Sequence, residues 1–195
     1  MKHSSVILFL IAFNGHLLAQ SAEVAPLARQ FKVELGFHGL GLAYELPLAD
    51  RWSIDLSTGL GGGYHVGGYG LQDGFNYTWI INDPVMYFKS EVKYVYNRPK
   101  RLARGKSLRN NAGHYVAWQT KYTTERVFGS TVYDQLEDPL NNTLLNEVHW
   151  GIQTPIGQRT VFNFHLGLGV AADYDFGSSS VYPGLGIKFS RVIFY

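Results

Sequence analysis

The chain has 195 residues, a formal net charge of +2, no cysteine, 22 glycines and an aromatic content of 15%. That is room for one domain. The missing cysteines exclude disulfides and thiolate metal sites, and the near-neutral charge gives no electrostatic basis for a nucleic-acid partner. Charged residues make up only 16%, below the ~25% of an ordinary soluble domain. Mean hydropathy is nevertheless -0.08, too low for a helical membrane protein. Low charge without long apolar runs suits strands in which each apolar residue alternates with a small or polar one.

Met1–Ala19 carries Lys2, an apolar core Val6–Phe13 and a small-residue end at Ala19. This is the pattern of a secretory signal peptide, with a core too short to cross a bilayer. Residues 20–30 read as a short periplasmic lead, and 31–195 as one β domain. Phe31, Val33, Leu35 and Phe37 alternate with Lys32, Glu34, Gly36 and His38. At Gly39 the parity flips, and Leu40, Leu42, Tyr44 and Leu46 become the apolar set, with Glu45 opposite. A tight hairpin at His38–Gly39 and a single bulged strand over 31–46 both produce that flip. After a turn at Pro47–Asp50 a third strand sets Trp52, Ile54 and Leu56 against Ser53, Asp55 and Ser57.

Residues 62–84 form a Gly/Tyr-rich loop with a short strand of its own at Asn76–Ile81. Its aromatic residues Tyr64, Tyr69, Tyr77 and Trp79 are candidates for surface recognition, and equally for a cap that folds down or an extension of the strands. The fourth strand, Val85–Asn97, sets Phe88, Val92 and Tyr94 against Lys89, Glu91 and Lys93. Residues 98–109 form a connector with six basic residues and no acid. It reads either as a solvated turn beside anionic headgroups or as a periplasmic contact surface. The fifth strand, Gly113–Thr123, sets Val116 and Trp118 against Ala117, Gln119 and Lys121. A second long loop at 124–143 contains Asp134, Glu137 and Asp138. The sixth strand, Leu144–Thr154, sets Val148, Trp150 and Ile152 against Glu147, His149 and Gln153. The closing hairpin, Thr160–Tyr195, sets Phe162, Phe164, Leu166 and Leu168 against Asn163, His165 and Asp173. Its second strand carries Lys188 and ends on Ile193 and Tyr195.

The count gives an all-β fold, an eight-stranded antiparallel up-and-down β-barrel. Short turns alternate with longer loops, and both termini lie at one end. Apolar residues outside and polar residues inside make it a transmembrane barrel; the reverse makes a soluble barrel that holds an apolar ligand. Aromatics near strand ends, and a second face that mixes glycine with both signs of charge, favour the membrane. The expected lumen network is Lys32, Glu34, Glu45, Asp55, Lys89, Glu91, Lys93, Lys121, Glu147, His149, His165, Asp173 and Lys188. Glu147, His149 and His165 are residue types that bind metal or act as base and orienter. The reading adopted here makes them structural members of the network, with no catalytic residue, metal or cofactor. Gly167–Ala172 matches G-x-G-x-x-A but lies inside one alternating strand, so it is not a dinucleotide site. Pro183 is expected near the outer rim or at a bulge, because proline gives no ladder hydrogen bond, and Arg191 at the edge next to the termini.

With its signal segment, eight alternating stretches and final strand of alternating apolar residues, the chain resembles the small eight-stranded outer-membrane barrels of Gram-negative bacteria, in the OmpA/OmpX size class. The segments G-L-G-L-A-Y-E-L-P-L and R-G-K-S-L-R-N-N also resemble a subgroup of uncharacterised bacterial β-barrel proteins. The resemblance implies a monomer in the outer membrane, in contact with its lipid and lipopolysaccharide. It also implies that the strand ending at Tyr195 is read by the outer-membrane insertion machinery. A structural or surface-interaction role through the loops is expected. The alternative within the class is a lipid A-modifying enzyme of deacylase type, although no His-x-Ser follows the signal segment.

Overall fold

The computed structural model describes residues 24–67, 75–127 and 142–195, and in them the chain is all-β. The signal segment 1–19, Tyr69 and the acidic loop residues Asp134, Glu137 and Asp138 lie outside the described residues. The strands are β1 (Gln30–Gly36), β2 (Gly39–Ala49), β3 (Trp52–Val66), β4 (Tyr77–Val95), β5 (Gly113–Arg126), β6 (Thr143–Ile156), β7 (Thr160–Asp173) and β8 (Ser179–Phe194). Each pairs antiparallel with its neighbours in sequence, and β8 returns to β1, so one sheet closes into a ring. In β4 the register jumps: Gly62 faces Pro84, whereas Gly63 faces Ile80. Pro84 has no N–H to give, which is why the ladder breaks there. Counting β4 as two pieces makes nine segments in the ring.

The parity flip is a hairpin. Gly36 pairs with Gly39 across Phe37 and His38. Gly39 has φ +115°, and a Cβ on it would overlap the Leu60 carbonyl of β3. Only glycine fits this corner.

Several expectations differ, beginning with the turn at Pro47–Asp50, most of which is strand because β2 runs on to Ala49. The loop expected at 62–84 is mostly strand: β3 runs to Val66 and β4 starts at Tyr77, paired through Tyr64–Trp79 and Val66–Tyr77. Gly61–Gly63 look like a break in the sequence, but the ladder runs through them. At the second expected loop, 124–143, β5 runs on to Arg126 and β6 starts at Thr143. The basic connector is folded. Pro99 sits in the first turn of α1 (Arg98–Ala103), and a 3₁₀ turn follows at Arg109–Asn111.

The faces are sorted opposite to those of a soluble protein. Outward residues are apolar: Trp118, Val148 and Leu168 are each about 60% exposed, and Leu42, Phe88, Leu166 and Phe189 join them. Inward residues are charged or polar. At the end carrying the termini, Leu27 of the lead packs on Val95, Tyr115 and Ala117. Asn111 clasps Ala28 through both its backbone N–H and its carbonyl, each at 2.8 Å. At the far end Tyr64 and Val66 turn inward onto Leu145, Ala171 and Tyr182. These two small apolar clusters close the two ends of a polar interior.

β1 and β2 are short, and the ring has a notch above their hairpin. The β2–β3 ladder stops at Leu40–Leu60 and the β1–β8 ladder at Gly36–Lys188. Beyond those pairs the edges of β3 and β8 have no strand between them among the described residues. The β3–β4 tip leans across the gap. The Ser178 hydroxyl donates to the Val66 carbonyl, the Asn76 N–H donates to Ser180 Oγ at 2.9 Å, and Tyr77 meets Tyr182 edge to face.

Candidate functional site

The interior holds two adjoining groups of charged side chains. The first lies on β1–β4 and β8, where neighbouring strands carry opposite charges at inward positions. Lys32 Nζ donates to Glu45 at 2.9 Å and to Asp55 at 2.6 Å, and Lys93 Nζ donates to Asp55 at 3.1 Å. Lys188 pairs with Glu34 at 2.8 Å and Lys89 with Glu91 at 3.7 Å. Four ammonium groups thus face four carboxylates, so the group is neutral as a whole. Burial of this kind is tolerable only because every charge has a partner of opposite sign.

The second group lies on β6 and β7. Glu147 and His149 are two residues apart on β6 and so share its inward face. His165 comes in from β7. His149 Nδ1 lies 2.7 Å from Glu147 Oε1, and His165 Nε2 lies 3.5 Å from the same oxygen. On its other side, His149 Nε2 is 3.3 Å from Glu91 Oε1. Each of these residues faces a glycine across the ladder: Glu147 faces Gly169, His149 faces Gly167, and His165 faces Gly151 and Gly186. The missing side chains are the space the rings and carboxylate occupy. A Cβ on Gly184 would overlap the Glu147 carboxyl, and one on Gly186 the His165 ring. His38, from the β1–β2 hairpin, stacks on His165 with ring centroids 6.0 Å apart.

Of the network residues expected from sequence, Lys32, Glu34, Glu45, Asp55, Lys89, Glu91, Lys93, Lys121, Glu147, His149 and His165 are buried, and Lys188 is largely so. Lys121 has a different setting from the rest. Its Nζ lies over the Tyr64 and Tyr87 rings, at 5.1 and 5.2 Å, and 3.3 Å from His38 Nδ1. Asp173 is buried but sits at the far rim, where it accepts the N–H groups of Asp175 and Phe176 and closes the β7–β8 turn. Of the two readings of the 62–84 aromatics, the described ones follow the cap that extends the strands. Tyr64 is buried, and Tyr77 and Trp79 pack half-buried against its cluster, because strand pairing carries them over the mouth.

The network drawn from sequence left out Tyr115 and Arg98, although it placed Asn163 and Gln153 on the inward face. The Tyr115 hydroxyl donates to Asn163 at 2.8 Å, and Gln153 Nε2 donates to the Asn110 carbonyl at 2.8 Å, forming a polar floor. Strand parity marks Tyr115, Gln153 and Asn163 as inward. Arg98 is the second case: it is buried and donates to the Ala25 and Pro26 carbonyls. Burial draws its guanidinium below the usual arginine value, while Glu45 acts in the opposite direction. Arg98 opens a six-residue helix, too short for a period to mark it.

Comparison of the chain with family models, with curated proteins and with solved structures finds no match.

Proposed function

We propose that this chain is an outer-membrane β-barrel of a Gram-negative bacterium, closed to bulk diffusion, with a structural or surface-interaction role through its far-end loops. The observation that carries the reading is the inverted sorting of side chains: an apolar outer face around a buried interior in which four lysines pair with four carboxylates. Water solvates such an outer face poorly, and hydrocarbon solvates it well. Strand pairing around the ring meets the other demand of the bilayer, that polar backbone groups be satisfied, everywhere but at the notch above the β1–β2 hairpin. Aromatic side chains add support near the terminal end. Trp52 lies against Tyr94 with ring centroids 4.9 Å apart, and Trp150 Nε1 donates to the Tyr96 hydroxyl at 2.8 Å. Tyrosine and tryptophan with their polar atoms at one level suit a membrane–water interface. A soluble carrier of an apolar ligand requires the faces reversed. The deacylase alternative has less support, since no serine hydroxyl bonds His149 or His165 among the described residues.

Cell fractionation with heat-dependent gel mobility tests the reading. The expected result is release from the outer membrane only by detergent, with different mobilities before and after boiling. A detergent-free soluble protein with no mobility change refutes it. Planar-bilayer recordings test closure, and a large steady conductance would show that the interior is not filled.

A further inference from the structure

The geometry points to a site for a divalent transition-metal ion of the Zn2+ class, held by Glu147 Oε1, His149 Nδ1 and His165 Nε2. These three atoms lie within 4.8 Å of one another, and each belongs to a buried side chain. None of the three has a hydrogen-bond partner among the described residues. His149 Nδ1 approaches Glu147 at 2.7 Å but out of line for a hydrogen bond. An imidazole donating from Nε2 to Glu91 presents a lone pair at Nδ1. Second-shell carboxylates hold metal-binding histidines in this way. Two imidazole nitrogens and a carboxylate oxygen therefore lie in one cluster; the His149 and His165 rings are stacked with centroids 4.3 Å apart, so a shared ion needs one ring to turn toward it.

The dimensions fit. Zinc bonds of roughly 2.0–2.2 Å to nitrogen and oxygen in a tetrahedron place ligand atoms about 3.3 Å apart. The Glu147–His165 separation of 3.5 Å already matches, and the Glu147–His149 separation of 2.7 Å opens by under about 1 Å to match. Two histidines and one carboxylate are the ligand set of zinc sites that keep a fourth position open. The notch supplies an approach to that position. A cavity of about 210 Å³ reaches Glu147 from the side of the ring, between Phe37 and His38 below and Trp79 and Pro183 on its flanks. The fourth position is left to water or to a donor that enters through this opening.

The competing occupant is a proton on His149 Nδ1, and metal uptake separates the two. The folded full-length chain is stripped with chelator, dialysed against micromolar Zn2+ and analysed for metal. A parallel sample takes Co2+ as a visible-absorption probe. The expected result is about one equivalent retained, with the d–d absorption of a tetrahedral cobalt site. His149→Ala and His165→Ala should each abolish retention, and Gly186→Ala should lower it by displacing the His165 ring. Glu91→Gln should weaken affinity by roughly 10- to 100-fold, since Glu91 orients a ligand without being one. His114→Ala, on a half-exposed histidine near the terminal rim, should leave uptake unchanged. Far-UV circular dichroism verifies that each variant keeps its sheet. A chain with intact sheet structure that takes up no metal overturns the proposal, as does wild-type uptake by His149→Ala and His165→Ala. Neither outcome bears on whether the ring inserts in a membrane, which fractionation decides separately.

Discussion

Removing the Asp55 carboxylate tests whether the lumen is held by charge pairing. Asp55 is fully buried between Lys32 Nζ at 2.6 Å and Lys93 Nζ at 3.1 Å. Lys32 keeps Glu45 at 2.9 Å after the change, so its loss is partial. Lys93 is left with Glu45 and Glu91, each at 4.0 Å, beyond hydrogen-bond reach. In Asp55→Asn the interior carries one uncompensated positive charge. Stranding a buried charge in this way costs about 3–5 kcal/mol. Lys93→Met alone strands the carboxylate side and should lose a similar amount. In the double variant the charges cancel again, so its loss should fall short of the sum by about 2 kcal/mol or more, a coupling typical of residues in one network. Equilibrium unfolding in urea, followed by tryptophan fluorescence, measures all three variants. If Asp55→Asn lies within about 1 kcal/mol of wild type, water reaches the cluster and the filled-lumen picture is wrong. Strict additivity of the two single changes would equally refute direct pairing.

Val148→Arg, at an outward position on β6 about 60% exposed, should cost about 2–4 kcal/mol in lipid and almost nothing in water. Stability measured in bilayers therefore reads the environment of that face directly. Gly39→Ala should lower the unfolding midpoint by the equivalent of about 1–3 kcal/mol or more, since φ +115° is strained for alanine and Leu60 blocks its Cβ. Gly157→Ala, at φ +70° with open space around it, should lose no more than about 1–2 kcal/mol in the same assay. Arg98→Ala removes the donor to the Ala25 and Pro26 carbonyls, a charged hydrogen bond worth about 1.5–3 kcal/mol. Hydrogen exchange at Leu27 and Ala28 should then speed up by roughly tenfold or more. Unchanged exchange would mean that the Asn111 clasp alone fixes the lead.

Alternation made the strands and their two faces legible, because a period of two is set by the pleat and needs no partner to be read. Lys32, Asp55, Lys93 and Glu147 were assigned to one interior on that basis. Alternation does not say which inward residues meet. That depends on register and on strand length, and both were misjudged around Gly61–Gly63. A glycine run there reads as a loop, yet it continues as ladder and carries Tyr64, Tyr77 and Trp79 over the mouth. The Glu147–His149–His165 group was visible as residue types on adjoining strands. Its convergence was not, because it depends on Gly167, Gly184 and Gly186 leaving space, and in sequence a glycine shows only the absence of a side chain. The connector was the least legible part. Arg98 sits among exposed basic residues in the sequence but inside the molecule in the fold.

Pro183 shows how the notch and the interior belong to one design. From sequence it was expected at the rim or in a bulge; instead it pairs with Leu168, well within β7. The Phe37 N–H donates to the Ile187 carbonyl across the β8–β1 edge. Backbone groups of alternate residues point to the same side of a strand, so residue 183 points toward β1 as Ile187 does. At that height β1 has already turned at Phe37 and His38, and no partner awaits an N–H. Proline is therefore tolerated mid-strand because the ladder on that side has ended, and it protects the free edge from pairing with another chain. A longer β1–β2 hairpin would close the wall and cover Glu147. The short hairpin, the proline on the open edge and the leaning β3–β4 tip together leave a small lateral opening onto Glu147, the carboxylate of the cluster. Lengthening that hairpin by one residue pair on each strand should therefore slow metal exchange at the cluster while leaving its ligands in place, and a metal off-rate that does not change would show that the ion enters by another route.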